Sequence, residues 1–520
     1  MRAACRNPLL MAQATLLGSF LGTALSVWGQ STGTLELHVV DEASRQPIAV
    51  RMHLRDARNR PVLPKGFVSW HDHFVFDGKA VLQLPPGNYT FEIEHGPEYR
   101  LRRGHFSLQR RAHDSQTLTL PRFIDMAAEG WYSGDLHVHR PLEDIRLLAA
   151  AEDLHVVPVI TWWNRRNYWL DKPLPERRVV WFDGNRRLYD VMAGEDERGG
   201  GALLYFGLDQ PLPISQAQRE YPPSVAFLKQ AKAVSDRVHV DAEKPFWWDL
   251  PIWLATGLVD SIGIAHNHMQ RDGVLANEAW GRPRDRLRYP DPHGNGQWTQ
   301  DIYYHVLNAG LRVAPSAGSA SGVLPNPVGY NRVYVHLSGP LDERSWFEGL
   351  RAGRVIVTNG PLMRPKVNGQ LPGHVFRADP GQTVVLQPEL VLATRDKIEY
   401  LEIIQNGRSV HQVRLDDYVN AAGRLPAVEF RQSGWMMLRA VTNHPATYRF
   451  AASGPYYVQI GDEPRISRAS VRFFLEWLDE RRQQLEAVDS LSAEQRRSVL
   501  EAVEEARRFW QQLLERANCD

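Results

Sequence analysis

The chain has 520 residues, a length that favours about three domains over one. Lys plus Arg number 61 against 60 Asp plus Glu, a balance that excludes a nucleic-acid or polyanion partner held by bulk charge. A hydrophobic fraction of 43% and two cysteines, Cys5 and Cys519, fit a soluble globular chain without a disulfide framework, so any zinc must be held by His and carboxylates.

In chain order, residues 1–30 read as a signal peptide. Arg2 and Arg6 form a positive start, Leu9 to Val27 is mostly apolar, and Gly29–Gln30 is a cleavage point. An uncleaved anchor is the alternative, weakened by Gln13 and the small residues. No later run has eighteen consecutive apolar residues, so the mature chain is expected to carry no stable membrane span and to be periplasmic or secreted.

Residues 31–120 read as all-β. Thr34 to Val40 alternates apolar and polar, Ala80 to Leu84 is a second strand, and Tyr89 to Glu94 a third after the turn Pro85-Pro86-Gly87-Asn88. This spacing predicts a small sandwich. The strand–turn–strand pattern resembles the carboxypeptidase-regulatory-like domains that often precede exported catalytic domains.

Residues 121–360 alternate apolar runs (Val156–Ile160, Val259–Ile264, Leu311–Ala314) with helical stretches (Ser224–Ser235, Gln300–Ala309), which predicts an α/β domain of barrel-like size. Residues 361–460 turn β-rich at Val384–Leu386 and Tyr400–Ile404. Residues 461–520 read as a tail of two helices, the second opened by a capping box at Ser492-Ala493-Glu494-Gln495. The tail is expected to pack on the body, with dimerisation the alternative.

The chemistry centres on Ser133-Gly134-Asp135-Leu136-His137-Val138-His139. In extended chain, alternate side chains share a face. Asp135, His137 and His139 therefore point one way while Leu136 and Val138 point into packing, a natural arrangement for a divalent metal. His-x-His alone is a weak signal, and His71/His73 and His266/His268 repeat it. His71-Asp72-His73 reads as a loop feature.

Asp-Leu-His-Val-His at the start of an α/β domain resembles the first motif of PHP-domain metallohydrolases, specifically the CehA/McbA-like branch. The similarity covers about residues 125–360. Ala193-Gly194-Glu195 resembles the segment carrying the family's glutamate ligand, and Ser316 to Gly322 resembles its late Gly-Ser-Asp motif. The resemblance implies a distorted seven-stranded β/α barrel between an N-terminal β-sandwich and a C-terminal β-rich region. It also implies a Zn, Mn or Fe ion and hydrolysis of a phosphoester, ester or carbamate-type bond.

Two departures stand out. The family's Asp-His pair is replaced by Trp163-Asn164, and Ala320 stands where an aspartate ligand is usual. His239, Asp241 and Glu243, or His266 and His268, are available to complete the site. The expected metal ligands are therefore Asp135, His137, His139, Glu195, Asp241 and His268. Asp241 and Glu243 are also the candidate proton acceptors. Lys244 and Arg271 are candidates to hold an anionic group of a small-molecule substrate, with an ion pair to Asp241 or Glu243 as the plainer role for Lys244. Trp163 is a candidate pocket wall. The alternative function is a non-catalytic carbohydrate- or ligand-binding protein on a degenerate PHP-like barrel.

Overall fold

A computed structural model describes residues 32–520, so the leader read at residues 1–30 lies outside the described residues. No helix among the described residues is long and apolar enough to cross a membrane.

The N-terminal part has two sheets over one core. Strand Gly33–Asp41 pairs with Lys79–Leu84 on one side and His113–Leu120 on the other. The second sheet has five strands centred on Ala49–Asp56. Gly33–Asp41 alternates buried and half-buried along its whole length, as its apolar–polar alternation requires. Leu37 and Val39 meet Met52, Leu54 and Phe74 across the gap between the sheets.

The central part does not form the expected seven-stranded β/α barrel. The chain is β-rich, and one sheet of 17 strands runs through the central part and on into the C-terminal region. Parallel strand pairs in the central part join Val156–Trp163 to Trp131–Gly134 and Arg187–Arg198, and Ser261–Ala265 to His239–Ala242 and Ala314–Ala317, while the C-terminal part of the sheet adds Val375–Ala378 with Tyr456–Ile460. Between Val156–Trp163 and Arg187–Arg198, where alternation calls for a helix, the chain makes the strands Arg166–Asn167 and Val179–Phe182. The next strand, Gly201–Phe206, folds straight back as an antiparallel hairpin on Arg187–Arg198. Gly199-Gly200-Gly201 allows that reversal: Gly201 has φ +120°, a region L side chains rarely adopt. Apolar runs reveal burial, but they do not distinguish a hairpin partner from a parallel neighbour.

The boundary drawn near residue 360 does not interrupt the sheet. Val355–Thr358 pairs with Arg332–His336 and also with Phe450–Ser453. Backbone hydrogen bonds thus join the central part to the strands Ile398–Gln405 and Gly434–Thr442.

The tail forms helices Arg468–Glu486 and Ala493–Glu515, the second opened by the capping box of Ser492 and Gln495. Trp477 and Trp510 are fully buried against the central part, and the Trp510 indole donates to Pro251 O at 2.9 Å. Arg481 donates to Asp249 Oδ1 at 2.8 Å and to Glu220 Oε2 at 2.6 Å. These contacts fix the turn after Glu243 and Lys244, which carries residues of the candidate centre.

Candidate metal centre

Strand Trp131–Gly134 ends just before Asp135, and the chain bends at Leu136 before pairing again at Val138. Val138 bridges to Val159 and Ser321, and the His139 amide donates to Ser321 O at 2.8 Å. Leu136 and Val138 are fully buried. The alternation turns His137 and His139 to the opposite face. Glu195 comes from the far end of Arg187–Arg198, paired opposite Trp163.

Three donor atoms converge. His137 Nε2 and His139 Nε2 lie 2.9 Å apart. Glu195 Oε2 lies 3.4 Å from the first and 3.1 Å from the second. The point equidistant from all three is about 1.8 Å from each, close to the roughly 2.0–2.2 Å of ordinary zinc–nitrogen and zinc–oxygen bonds, so these three residues would hold one ion. Their side chains are 4%, 7% and 2% exposed, and Glu195 Oε2 has no hydrogen-bond partner among the described residues. Burying a carboxylate oxygen without a partner is costly, and a cation removes that cost.

The electrostatics carry the same demand. Burial works against charging His137, but Glu195 and Glu243 outweigh it and push its pKa up to about 10. Burial lowers that of His139. Glu195, which burial alone would raise, is held down at about 2 by His137 and His139. Glu195 and Glu243 thus favour positive charge at His137.

Glu243 lies behind His137. Its Oε1 is 3.2 Å from His137 Nδ1, off-line for a hydrogen bond, and its Oε2 is ion-paired with Lys244 and accepts from the Trp247 indole at 3.0 Å. Lys244 Nζ lies 4.5 Å over the Trp247 ring. The plainer role for Lys244, an ion pair, is the contact found.

Other expected ligands lie outside this triad. Asp135 accepts three backbone amides, from His137 at 3.0 Å, Ser319 at 2.9 Å and Gly329 at 2.7 Å, so its oxygens tie loops rather than face the donors. Asp241 accepts from Ser261 Oγ at 2.5 Å and from Ser316 Oγ, and burial pushes its pKa up to about 7. His268 Nδ1 donates to Asn277 O at 2.9 Å, and the Phe246 ring lies 5.5 Å from its own. Arg271 pairs with Glu92 of the N-terminal part and lines a different cavity. Ala320 is fully buried and offers no donor atom.

Trp163 packs on the centre, with its ring 4.7 Å from that of His139. Its indole donates to Glu197 Oε2 at 3.0 Å. Sequence reasoning misses Glu197, although Glu195-x-Glu197 places both carboxylates on one strand face. Burial, then Glu195, raises its pKa to about 7. Trp163, Asn164, Arg166 and Glu197 line a pocket of about 460 Å³ beside the triad, within the range of roughly 300–1,000 Å³ usual for small-molecule sites.

Two further groupings share His53: one with Asp72 and His73, the other with Glu92 and Glu94. His53 Nε2 already faces Arg51 Nη1 at 2.5 Å, and Asp72 is paired with Arg55 at 3.1 Å. Arg51 likewise pairs with Glu94 at 3.1 Å and Arg271 with Glu92, so guanidinium groups already neutralise the carboxylates of both groupings.

No known family's sequence profile matches the chain, and no curated protein matches it. Among solved structures, the Bacillus anthracis TIE protein aligns over 22% of this chain and 20% of its own, at 19% identity and a TM-score of 0.15. So low a score carries no argument about fold or function.

Proposed function

We propose that the chain is an exported, metal-dependent hydrolase of a small-molecule phosphoester, ester or carbamate, with a site akin to that of the PHP metallohydrolases. The observation that carries this reading is the triad of His137, His139 and Glu195, whose donor atoms have the mutual spacing of ligands on one Zn, Mn or Fe ion. Such an ion, when bound, supplies Lewis acidity and lowers the pKa of its water to about 7.

The chain's own groups have separate parts. Glu243 stands 3.2 Å behind His137 Nδ1, within reach of the hydrogen bond by which a carboxylate orients a ligand imidazole once the ring turns in line. Lys244 neutralises Glu243 and keeps that carboxylate from competing for the ion. Glu197 lies at the pocket, where a ligand can exchange a proton with its carboxyl. Trp163 limits water access to His139.

That same ring favours a second reading, a ligand-binding protein without turnover, because it covers His139 and leaves the triad almost unexposed. The test is hydrolysis of nitrophenyl phosphate, ester and carbamate substrates by protein loaded with Zn²⁺, Mn²⁺ or Fe²⁺. Turnover that needs metal and disappears in Glu195→Gln supports the hydrolase. Binding of the same compounds without turnover supports the second reading.

A further inference from the structure

A second cavity, of about 60 Å³, lies where the three parts of the chain meet. It is lined by five guanidinium groups: Arg51 from the N-terminal sheets, Arg271 and Arg332 from the central part, and Arg395 and Arg449 from the C-terminal region. Three carboxylates share its wall: Glu94, Glu152 and Asp396.

On the cavity wall itself five guanidinium groups face three carboxylates. Glu94 alone serves Arg395 at 2.7 Å, Arg51 at 3.1 Å and Arg271 at 3.6 Å. Glu152 serves Arg51 at 2.5 Å, and Arg332 reaches it only at 3.9 Å. Asp396 serves Arg449 at 2.9 Å, and outside the wall Glu92 and the exposed Asp272 pair with Arg271, the latter at 3.3 Å. Arg395 Nε is buried with no hydrogen-bond partner among the described residues. Arg51 and Arg332 are 3% and 2% exposed, so water does not screen them. Burial, then the charge of Arg51, pushes the pKa of Arg271 down to about 10, whereas at Arg51 burial is outweighed by Glu152 and Glu94, which raise its own. The volume exceeds the ~10–15 Å³ needed for one water, and guanidinium forks match a tetrahedral oxyanion.

We propose that this cavity is a binding site for a compact tetrahedral oxyanion, phosphate or sulfate, which ties the three parts of the chain together. The site is separate from the metal triad and stands whether or not that triad turns over substrate. Arg332 does adjoin it structurally: its Nε donates to Gly329 O at 2.6 Å, and the Gly329 amide donates to Asp135.

The test is calorimetric titration of the full chain with sodium phosphate, then sodium sulfate, at constant ionic strength set with chloride, alongside thermal unfolding at millimolar anion. The expected result is one saturable site per chain with a rise in Tm. Both effects persist in His137→Ala, and affinity falls at least tenfold in Arg449→Gln and in Arg395→Gln. A response to one anion only identifies the ligand. Three results overturn the proposal: no saturable binding by wild type, affinity retained in both arginine variants, or affinity lost in His137→Ala, which would place the anion at the metal centre.

Discussion

Gly194→Ala is the sharpest probe of how the strand end is built. The Trp162 indole lies flat on Gly194, and a Cβ there would fall closer than 3.0 Å to three of its ring atoms. Gly194 does not have the positive φ that penalises an L side chain, so the cost is steric alone. Trp162 is 1% exposed and its Nε1 donates to Met192 O at 2.9 Å, which leaves the ring nowhere to retreat. Overpacking a dense core costs about 1–3 kcal/mol, and a weakened indole hydrogen bond adds about 1 kcal/mol. The expected destabilisation is therefore about 2–4 kcal/mol, read as a lowered urea midpoint with an unchanged slope. Adding Trp162→Phe to Gly194→Ala should recover part of it, with a coupling energy of roughly 0.5–3 kcal/mol. A Gly194→Ala protein that unfolds at the wild-type midpoint would refute the stacking.

Other perturbations separate the remaining contacts. Glu243→Gln should weaken metal affinity about 10- to 100-fold, the usual effect of losing a group behind a ligand, and an unchanged dialysis isotherm would remove it from that role. Arg481→Ala leaves Asp249 and Glu220 buried without their cation, at a cost of about 3–5 kcal/mol in chemical denaturation; a loss under about 1 kcal/mol would show that the tail is not clamped there. His155 is fully buried, and burial depresses its pKa to about 4 from a reference of 6.5. The unfolded chain therefore binds its proton first, so its contribution is complete above pH 6.5 and is lost as pH falls from 6.5 to 4. At about 1.4 kcal/mol per unit the swing is roughly 3 kcal/mol. His155→Gln should flatten that acid limb, and an unaltered limb would contradict the assignment.

Much of the local structure was legible, because local rules decided it. The alternation of Thr34 to Val40, the strand after Pro85-Pro86-Gly87-Asn88 and the capping box at Ser492 depend on neighbours in sequence. The pairing of strands did not, since Gly201–Phe206 and Val179–Phe182 carry the apolar character of buried strands in either orientation. At the centre, the alternation of His137 and His139 gave the shared face, and Glu195 joins them. Asp135 shares the alternation but is taken up by the amides of Ser319 and Gly329, almost two hundred residues away in the chain and invisible to spacing. Asp241 is likewise taken by Ser261 and Ser316, and Arg271 by Glu92. In each case a distant partner, rather than residue type, decided where a side chain is spent.

The central claim is that His137, His139 and Glu195 hold one divalent ion. The most direct measurement is elemental analysis of the purified full chain after chelator treatment and equilibrium dialysis against Zn²⁺ and, separately, Mn²⁺, with Glu195→Gln and His137→Ala alongside. The predicted result is one equivalent of metal on the wild type and a loss of it in both variants, with circular dichroism unchanged. A wild type that takes up no metal, or variants that take up as much as the wild type, would contradict it.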